Sequence, residues 1–444
     1  MKYTIAENAE LTIEELRRIL NNFQTSELPK LKHLYNYYIG KQAIMYKEAT
    51  DKGKSVAHVC VNFCKNTVDN YLGYMLGTPV TYAGENVEKI LEVLNYNDIH
   101  AVDTEYLRQA LIYGRAFHIN FIDREGFQRL QVFDSRECIP VYANNIENDL
   151  EYVIRFYKDY NVKRNEEVFA VEVYSKNDIK FYSATPGFTV INYLRSVPHY
   201  FKQVPVTVFS LNTDEQSIFA QIMTLNDAYN SLISGEVDSW DAFADAYLML
   251  KGVNADDSDL DAMKEHRCLI LPNDADASYL TKNVSDTQVT DMLDNLNKKI
   301  HEIANSPEFN NSDFGTESGI AIQYKLLGFE NTASAIEANL RKALQRRIEL
   351  ISTILALTNE EETWRDVIIT FIRNLPVDLQ ATADIVAKLN GIVSRETLLS
   401  ILPFVPDPKL EAEKVQKEND EEMSLYKEMN SDEEEENVNT TNRQ

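Results

Sequence analysis

The chain has 444 residues, 44% of them hydrophobic, and a formal net charge of -26. That length suggests about three domains, and that hydrophobic fraction suits a folded core. An acidic balance this large excludes a chain whose whole surface grips nucleic acid, because neutralising phosphates takes Lys and Arg; a local basic patch or an acidic passage stays open.

The N-terminus, MKYTIAENAELT, lacks the apolar core of a signal peptide. The apolar run VIITFI (Val367 to Ile372) is too short to span a bilayer. The expectation is a soluble protein made in the cytoplasm. Its cysteines, Cys60, Cys64, Cys138 and Cys268, then read as buried thiols in a reducing compartment.

A helical lead opens with TIEELRRILNNFQ, where Thr12 and Glu15 stand at capping-box spacing. The tyrosine-rich HLYNYYIGKQAIMYK follows. Its segment Tyr35 to Tyr46 reads as core or subunit interface, since its lysines are too sparse for a nucleic-acid groove. AHVCVNFCKNTVDNYLGYMLG places Val59, Phe63, Val68 and Leu72 near helical spacing, with Cys60 and Cys64 in the same helix. Gly77-Thr78-Pro79 stops it. Another helix is expected over Asp103 to Tyr113.

The period then changes to two. AFHINFI alternates, Asp123 to Gly126 makes a turn, and FQRLQVF alternates again. CIPVYAN, LEYVIRFYK, VFAVEVYS and DIKFYS continue the series, and QVPVTVFSLN closes it near Asn212. The fold class is therefore α+β.

From Asp214 helices dominate. Ile218, Phe219, Ile222, Leu225, Tyr229, Leu232 and Ile233 share a face, and Trp240, Phe243, Tyr247 and Leu248 continue it, with Ser234-Gly235 as the point for a break. A polar loop with the strands CLILP and ASYLTK interrupts. A second helix starts after Ser285, with Gln288 completing a capping box. Its stripe is Val289, Met292, Leu293, Leu296, Ile300 and Ile303. NSPEFNNSDFGTES follows, with Pro307 ending the helix. A long helix then runs from Ser318 towards Leu357, with Ile336, Leu340, Leu344, Ile351 and Leu355 on one side and Gly328 and Asn331 as points for a kink. WRDVIITFIRNLP reads as a strand-like run, and short helices follow, one starting at Ser394. After Pro406 the chain is strongly charged and ends in SDEEEENVNTTNRQ, an acidic tail of disordered composition.

Enzymatic readings find little footing. A phosphate loop needs G-x-x-x-x-G-K-[ST] after a strand, whereas Gly315 to Gly319 follows a helix, lacks the lysine, and sits among Glu308, Asp313 and Glu317. Asp257, Asp259 and Asp261 have the opening spacing of a calcium loop, but Ala262 replaces its glycine and Cys268 its bidentate glutamate. The Asp256 to Asp261 cluster leaves a metal-dependent nuclease or nucleotide-binding enzyme as the alternative reading, and a general capsid or scaffold component as a third. The histidines are scattered, His118 falls within an alternating strand, and neither G-x-S-x-G nor H-E-x-x-H occurs. No cofactor and no metal site is expected.

Several stretches, taken in order, resemble the portal protein family of tailed bacteriophages, the type of siphophages with Gram-positive hosts. They are YYIGKQAI, VNFCKNTVDNYLGYMLGTPVTY, ALIYGRAFHINFIDREG, VPVTVFSLN before LNDAYN, SPEFNNSDFGTESGIAIQYKLLG, and LNGIVSRETLLSILPFVPDP. The resemblance implies a ring, usually of twelve subunits, at one capsid vertex. It implies a wing over 1–212, a first stem helix over 213–251, a clip over 252–284 and a second stem helix over 285–305. A tunnel loop over 306–318, a long kinked helix over 319–357, remaining wing strand and crown helices over 358–406, and the charged tail over 407–444 would follow. The implied channel-facing residues are Glu308, Phe309, Asn310, Asn311, Ser312, Asp313, Phe314, Gly315, Thr316, Glu317 and Ser318. The implied docking residues of the clip are Asp256, Asp257, Asp259, Asp261, Leu269 and Leu271. The implied partners are further copies of the chain, double-stranded DNA, a terminase that supplies ATP hydrolysis, capsid and scaffolding proteins, and a head-completion adaptor. A virion location, with the host cytoplasm during assembly, is implied too. The tunnel loop contains no Lys or Arg, which suits DNA that must slide, since each neutralised phosphate adds affinity and friction.

Overall fold

The computed structural model describes residues 2–48, 56–161, 166–244, 247–251, 276–280, 286–308, 319–358, 364–374 and 379–402, with 405, 408–409, 411–420 and 423 beyond them. β1 (Tyr3–Ile5) precedes α1 (Ile13–Asn22) and α2 (Leu28–Tyr38). The capping box is present: Glu15 N donates to Thr12 Oγ1 and Thr12 N to Glu15 Oε2. α3 (Phe63–Leu76) starts later than its apolar spacing suggests. Asn62 caps it by accepting from Lys65 N at 3.0 Å, which leaves Val59 and Cys60 in extended chain. β2 (Thr81–Ala83), α4 (Glu88–Tyr96) and α5 (Ile99–Tyr113) follow. α5 ends at Gly114, whose φ is +81°; a Cβ there would sit 1.9 Å from the Glu215 carbonyl oxygen, so only glycine lets the two segments touch.

The period-two region forms two sheets. β3 (Arg115–Ile122) and β4 (Gln128–Phe133) join β10 (Val206–Ser210) in the order β10-β3-β4. β5 (Cys138–Ala143), β6 (Leu150–Asn161), β7 (Glu166–Tyr174), β8 (Asp178–Ala184) and β9 (Ile191–Pro198) form an antiparallel run, and β1 adds in parallel to β5. β9 is the far edge and exposes every residue after Ile191.

The helical half is α6 (Met223–Ala244), β11 (Tyr247–Lys251), β12 (Asp276–Leu280), α7 (Asp286–Ile303) and α8 (Gly319–Leu355). β13 (Ile368–Thr370) pairs with β2, and α9 (Leu379–Leu389) and α10 (Arg395–Ser400) follow. The continuous helix expected from Asp214 to Lys251 is shorter at both ends. Asp214 to Ile222 is a series of turns, in which Gln216 N donates to Asn212 Oδ1 and Ile218 N to the Leu111 carbonyl. Tyr247 to Lys251 pairs antiparallel with Asp276 to Leu280, so its backbone bonds go across a ladder rather than along a helix. Ser234-Gly235 does not break α6, and α8 runs through Gly328 and Asn331 without interruption.

α8 runs through the core. Ile336, Leu340, Leu344, Ile348 and Ile351 are all buried against the β10-β3-β4 sheet and the N-terminal helices. Arg347 lies among them, 1% exposed, and donates to Asp103 Oδ1 at 2.6 Å and to Tyr82 Oη at 2.6 Å. Tyr82 donates in turn to Asp103 Oδ2 at 2.6 Å, so one triad ties α8 to α5 and β2. His118 is a core residue, as its alternation suggests. Burial and the nearby Arg347 charge hold its imidazole well below the usual range, hence neutral.

Candidate channel-forming region

The two helices expected to form a stem, α6 and α7, pack against each other and are joined through the β11–β12 ladder. They face the rest of the chain in different ways. α6 buries its polar residues most deeply: Asn226, Asn230 and Ser234 are all 0% exposed. Together with Asp238 they recur every four residues, one above the other on one helix face. Each takes a backbone N–H, at every second residue, from a strap that runs from residue 57 to Phe63, the first residue of α3. Ala57 donates to Asp238 Oδ1 (2.7 Å), Val59 to Ser234 Oγ (3.1 Å), Val61 to Asn230 Oδ1 (2.8 Å) and Phe63 to Asn226 Oδ1 (3.1 Å).

The match is geometric. Four helical residues rise about 6 Å and two extended residues about 6.6 Å, so the two periods stay in step for a few rungs. Gln42 closes the inner end, accepting from Asn226 and Asn230 at 2.9 and 2.6 Å. Sequence reading took α6 as an apolar-faced helix and missed this ladder. The signal was there as Asn226, Asn230, Ser234 and Asp238 at constant spacing, but only the strap explains it.

α7 carries the expected stripe, and much of it is uncovered. Val289, Leu293 and Leu296 are only partly buried, Met292 is 53% exposed and Ile303 41%, while Ile300 is the buried member. The helix ends before Pro307. Asn305 adopts a left-handed φ of 48°, Ser306 N donates to the His301 carbonyl at 3.1 Å, and Asn305 N donates to that of Glu302 at 3.3 Å. This pair of bonds is a Schellman cap, with asparagine in place of the usual glycine. Pro307 thus follows a helix that has already closed.

The root of the loop is then fastened to α3 and α8. Tyr71 Oη donates to the Ala304 carbonyl at 3.1 Å, Asn70 to Ser306 Oγ at 3.0 Å, and Asn305 to Thr332 Oγ1 at 3.3 Å. Gly328 gives Asn305 its room, since a Cβ there would lie 3.1 Å from Asn305 Oδ1. Phe329 packs between Tyr71 and Tyr74, with centroids at 4.4 and 4.5 Å and the rings tilted to each other. Below it Glu330 accepts from Arg373, Tyr74 and Ser334. Burial alone would raise the Glu330 carboxyl, but these hydrogen bonds and the Arg373 charge outweigh it and hold it at about 2.

Of the channel-facing residues expected, Glu308 is described: it is exposed and accepts from Asn297 at 3.1 Å. Phe309, Asn310, Asn311, Ser312, Asp313, Phe314, Gly315, Thr316, Glu317 and Ser318 lie outside the described residues. So do the clip residues Asp256, Asp257, Asp259, Asp261, Leu269 and Leu271, the strand CLILP, and the acidic tail. Among the described residues no group of three or more His, Cys, Asp or Glu side chains is placed to hold a metal ion, and no helix is long and apolar enough to cross a membrane. Cys60, Cys64 and Cys138 are free thiols, and burial pushes the Cys64 thiol up to about 12, which makes it a poor nucleophile at neutral pH.

Residues 17–425 match the family described as phage portal protein, SPP1 Gp6-like. The chain belongs to the phage portal protein family. Among curated relatives, the portal protein of Clostridium phage phiCD119 is 24% identical over 441 residues, covering 91% of this chain and 95% of that protein. The portal protein of Bacillus phage SPP1 is 24% identical over 434 residues, covering 91% of this chain and 82% of its own length. The family match runs from within α1 through both sheets to α10, so of the elements described above only β1 and the start of α1 precede it. Phage portal proteins are structural components of the virion, and the comparisons lend no support to a nuclease.

Proposed function

We propose that this chain is the subunit of a ring at one capsid vertex, through whose central hole double-stranded DNA is packaged and later ejected. α6 and α7 line the passage, the residues around the β11–β12 ladder present a docking end to the terminase and then to a head-completion adaptor, and residues 306–318 lie beside the DNA. ATP hydrolysis comes from the terminase.

The observation that supports this reading beyond family membership is the α7 stripe. A helix with a regular apolar face normally buries it, and Met292 and Ile303 stay exposed in a single chain. A head-to-tail neighbour covers such a face without needing a self-complementary patch, and a rotation that closes gives a ring. The absence of Lys and Arg from Glu308 to Ser318 suits a wall that DNA passes without being held.

Negative-stain microscopy of the purified protein tests the assembly: rings with an axial hole are expected, and monomers or shells contradict it. Deleting Asn310 to Asp313 tests the loop. Rings should persist while packaging or DNA retention fails; particles filled normally with DNA would remove residues 306–318 from the channel.

A further inference from the structure

We infer that the cleft between α8 and β10 is a binding site for an acidic peptide, and that its occupant is this chain's own acidic run Asp432 to Glu436. The site is independent of the portal reading. The cleft has a volume of about 810 Å³ and is bounded by α8 near Asn339 to Arg346, by β10, and by the segments around Asn148 and Lys202. The whole chain has 70 Asp and Glu against 44 Lys and Arg, so an average patch of its surface is acidic. The cleft reverses that balance. Its lining carries Lys176, Lys202, Lys342 and Arg346 against a single carboxylate, Asp149.

Two of these cations already have an anion: Glu151 lies 3.0 Å from Lys176 and Glu349 lies 3.6 Å from Arg346. Lys202 and Lys342 are exposed and form no ion pair among the described residues. Lys2 stands at the rim, and it too leans on neutral groups, donating to Asn148 at 2.8 Å and lying 4.8 Å from the Tyr142 ring centre. The Arg346 side chain is only 31% exposed, and burial pushes its guanidinium down despite Glu349 and Asp149 nearby. A further carboxylate in the cleft would offset part of that cost through charge attraction.

The chemistry selects the ligand class. The cations come from four separate stretches of chain, which suits several carboxylates strung along a peptide better than one compact phosphate. Tyr142 is the one aromatic in the lining, so the cleft offers no platform for stacked bases. Asp432-Glu433-Glu434-Glu435-Glu436 is the densest run of carboxylates in the sequence. The stretch from Met423 to Asp432 spans up to about 30 Å when extended. Tethering also raises the local concentration of the run, so weak exposed ion pairs suffice to hold it.

Zero-length carbodiimide cross-linking of the full chain, read by peptide mass spectrometry, tests this. Lys202 and Lys342 should join the peptide bearing Asp432 to Glu436, and the yield should fall as salt rises. A second measurement uses the full chain with those five acids changed to Asn and Gln, and a labelled Ser431–Asn437 peptide followed by fluorescence anisotropy. The added K202E/K342E pair should weaken binding about tenfold while circular dichroism stays unchanged. Cross-links from the acidic run to other lysines alone, or equal affinity with and without the charge reversals, would overturn the assignment. So would a labelled DNA duplex whose binding depends on Lys202 and Lys342 while the peptide's does not.

Discussion

α7 and α8 both carry apolar stripes, and the chain treats them in opposite ways. The α8 stripe is buried from Ile336 to Ile351, with Arg347 paired inside it to Asp103 and hydrogen-bonded to Tyr82. The α7 stripe is half open, and Ile300 alone reaches the core. A periodic stripe therefore says that a face will be covered, not by what. α8 is satisfied by its own subunit, whereas α7 is left open, as the proposed ring requires. That difference predicts where substitutions act: on folding along α8 and α6, on assembly along α7.

The largest folding effect should come from Arg347→Ala. It strands the Asp103 carboxylate, 1% exposed, without its cation, and breaking a buried pair in this way costs about 3–5 kcal/mol. Thermal or urea unfolding of the subunit reads it. A shift no larger than that of an exposed arginine such as Arg195 would mean that the triad does not tie α8 to α5. Next comes Asn230→Leu in the strap ladder. It leaves the Val61 N–H without an acceptor, for about 1–3 kcal/mol, and the measurement is amide exchange along residues 57–63 together with overall stability. Unchanged protection at Val61 would show that the rung is dispensable.

The capping box at Thr12 and Glu15 and the Ser394 cap of α10 were legible in the sequence because they are local: donor and acceptor lie three residues apart. The alternating strands β3 to β8 were legible for the same reason, since period two is written into each segment. β9 was not, because an edge strand exposed on both faces, with Tyr193 and Leu194 both open, has no alternation to show. The start of α6 was misplaced because Ile218 bonds back to Leu111, a contact across the chain. The strap ladder was hidden more deeply still. Asn230 meets Val61 across 169 residues, and no window of sequence contains both. In the candidate site, the cap at Asn305 needs only six residues, yet asparagine in the usual glycine position leaves Pro307 as the plainer stop signal in the sequence.

A smaller effect is expected from pH. Glu330 titrates near 2 when folded, against an ordinary value of 4.5. A depressed carboxyl contributes stability above its unfolded value and loses it as pH falls through the folded one. The contact joining α8 to α3 and Arg373 should therefore weaken between about pH 4.5 and 2, the more modestly because Glu330 is partly solvated. Glu330→Gln should flatten that part of the stability profile; an unaltered acid limb would remove Glu330 as its source.

The smallest effect on the folded subunit should come from Met292→Asp. The side chain is 53% exposed and belongs to no buried cluster, so unfolding should move by no more than about 0.5 kcal/mol. Assembly should respond quite differently. If a neighbouring copy covers the α7 stripe, the substitution places a carboxylate in an apolar contact repeated at every junction of a ring. Each junction is weakened, and closure requires all of them. Light scattering on the purified protein separates the two: subunit stability intact with rings lost is the expected result. Rings that persist would mean that the apolar stripe of α7 is itself turned to the open channel and not to a neighbour, and the covered surface would have to be sought elsewhere. The exposed edge strand β9 is the next region to test, because it too carries apolar side chains that its own chain leaves open.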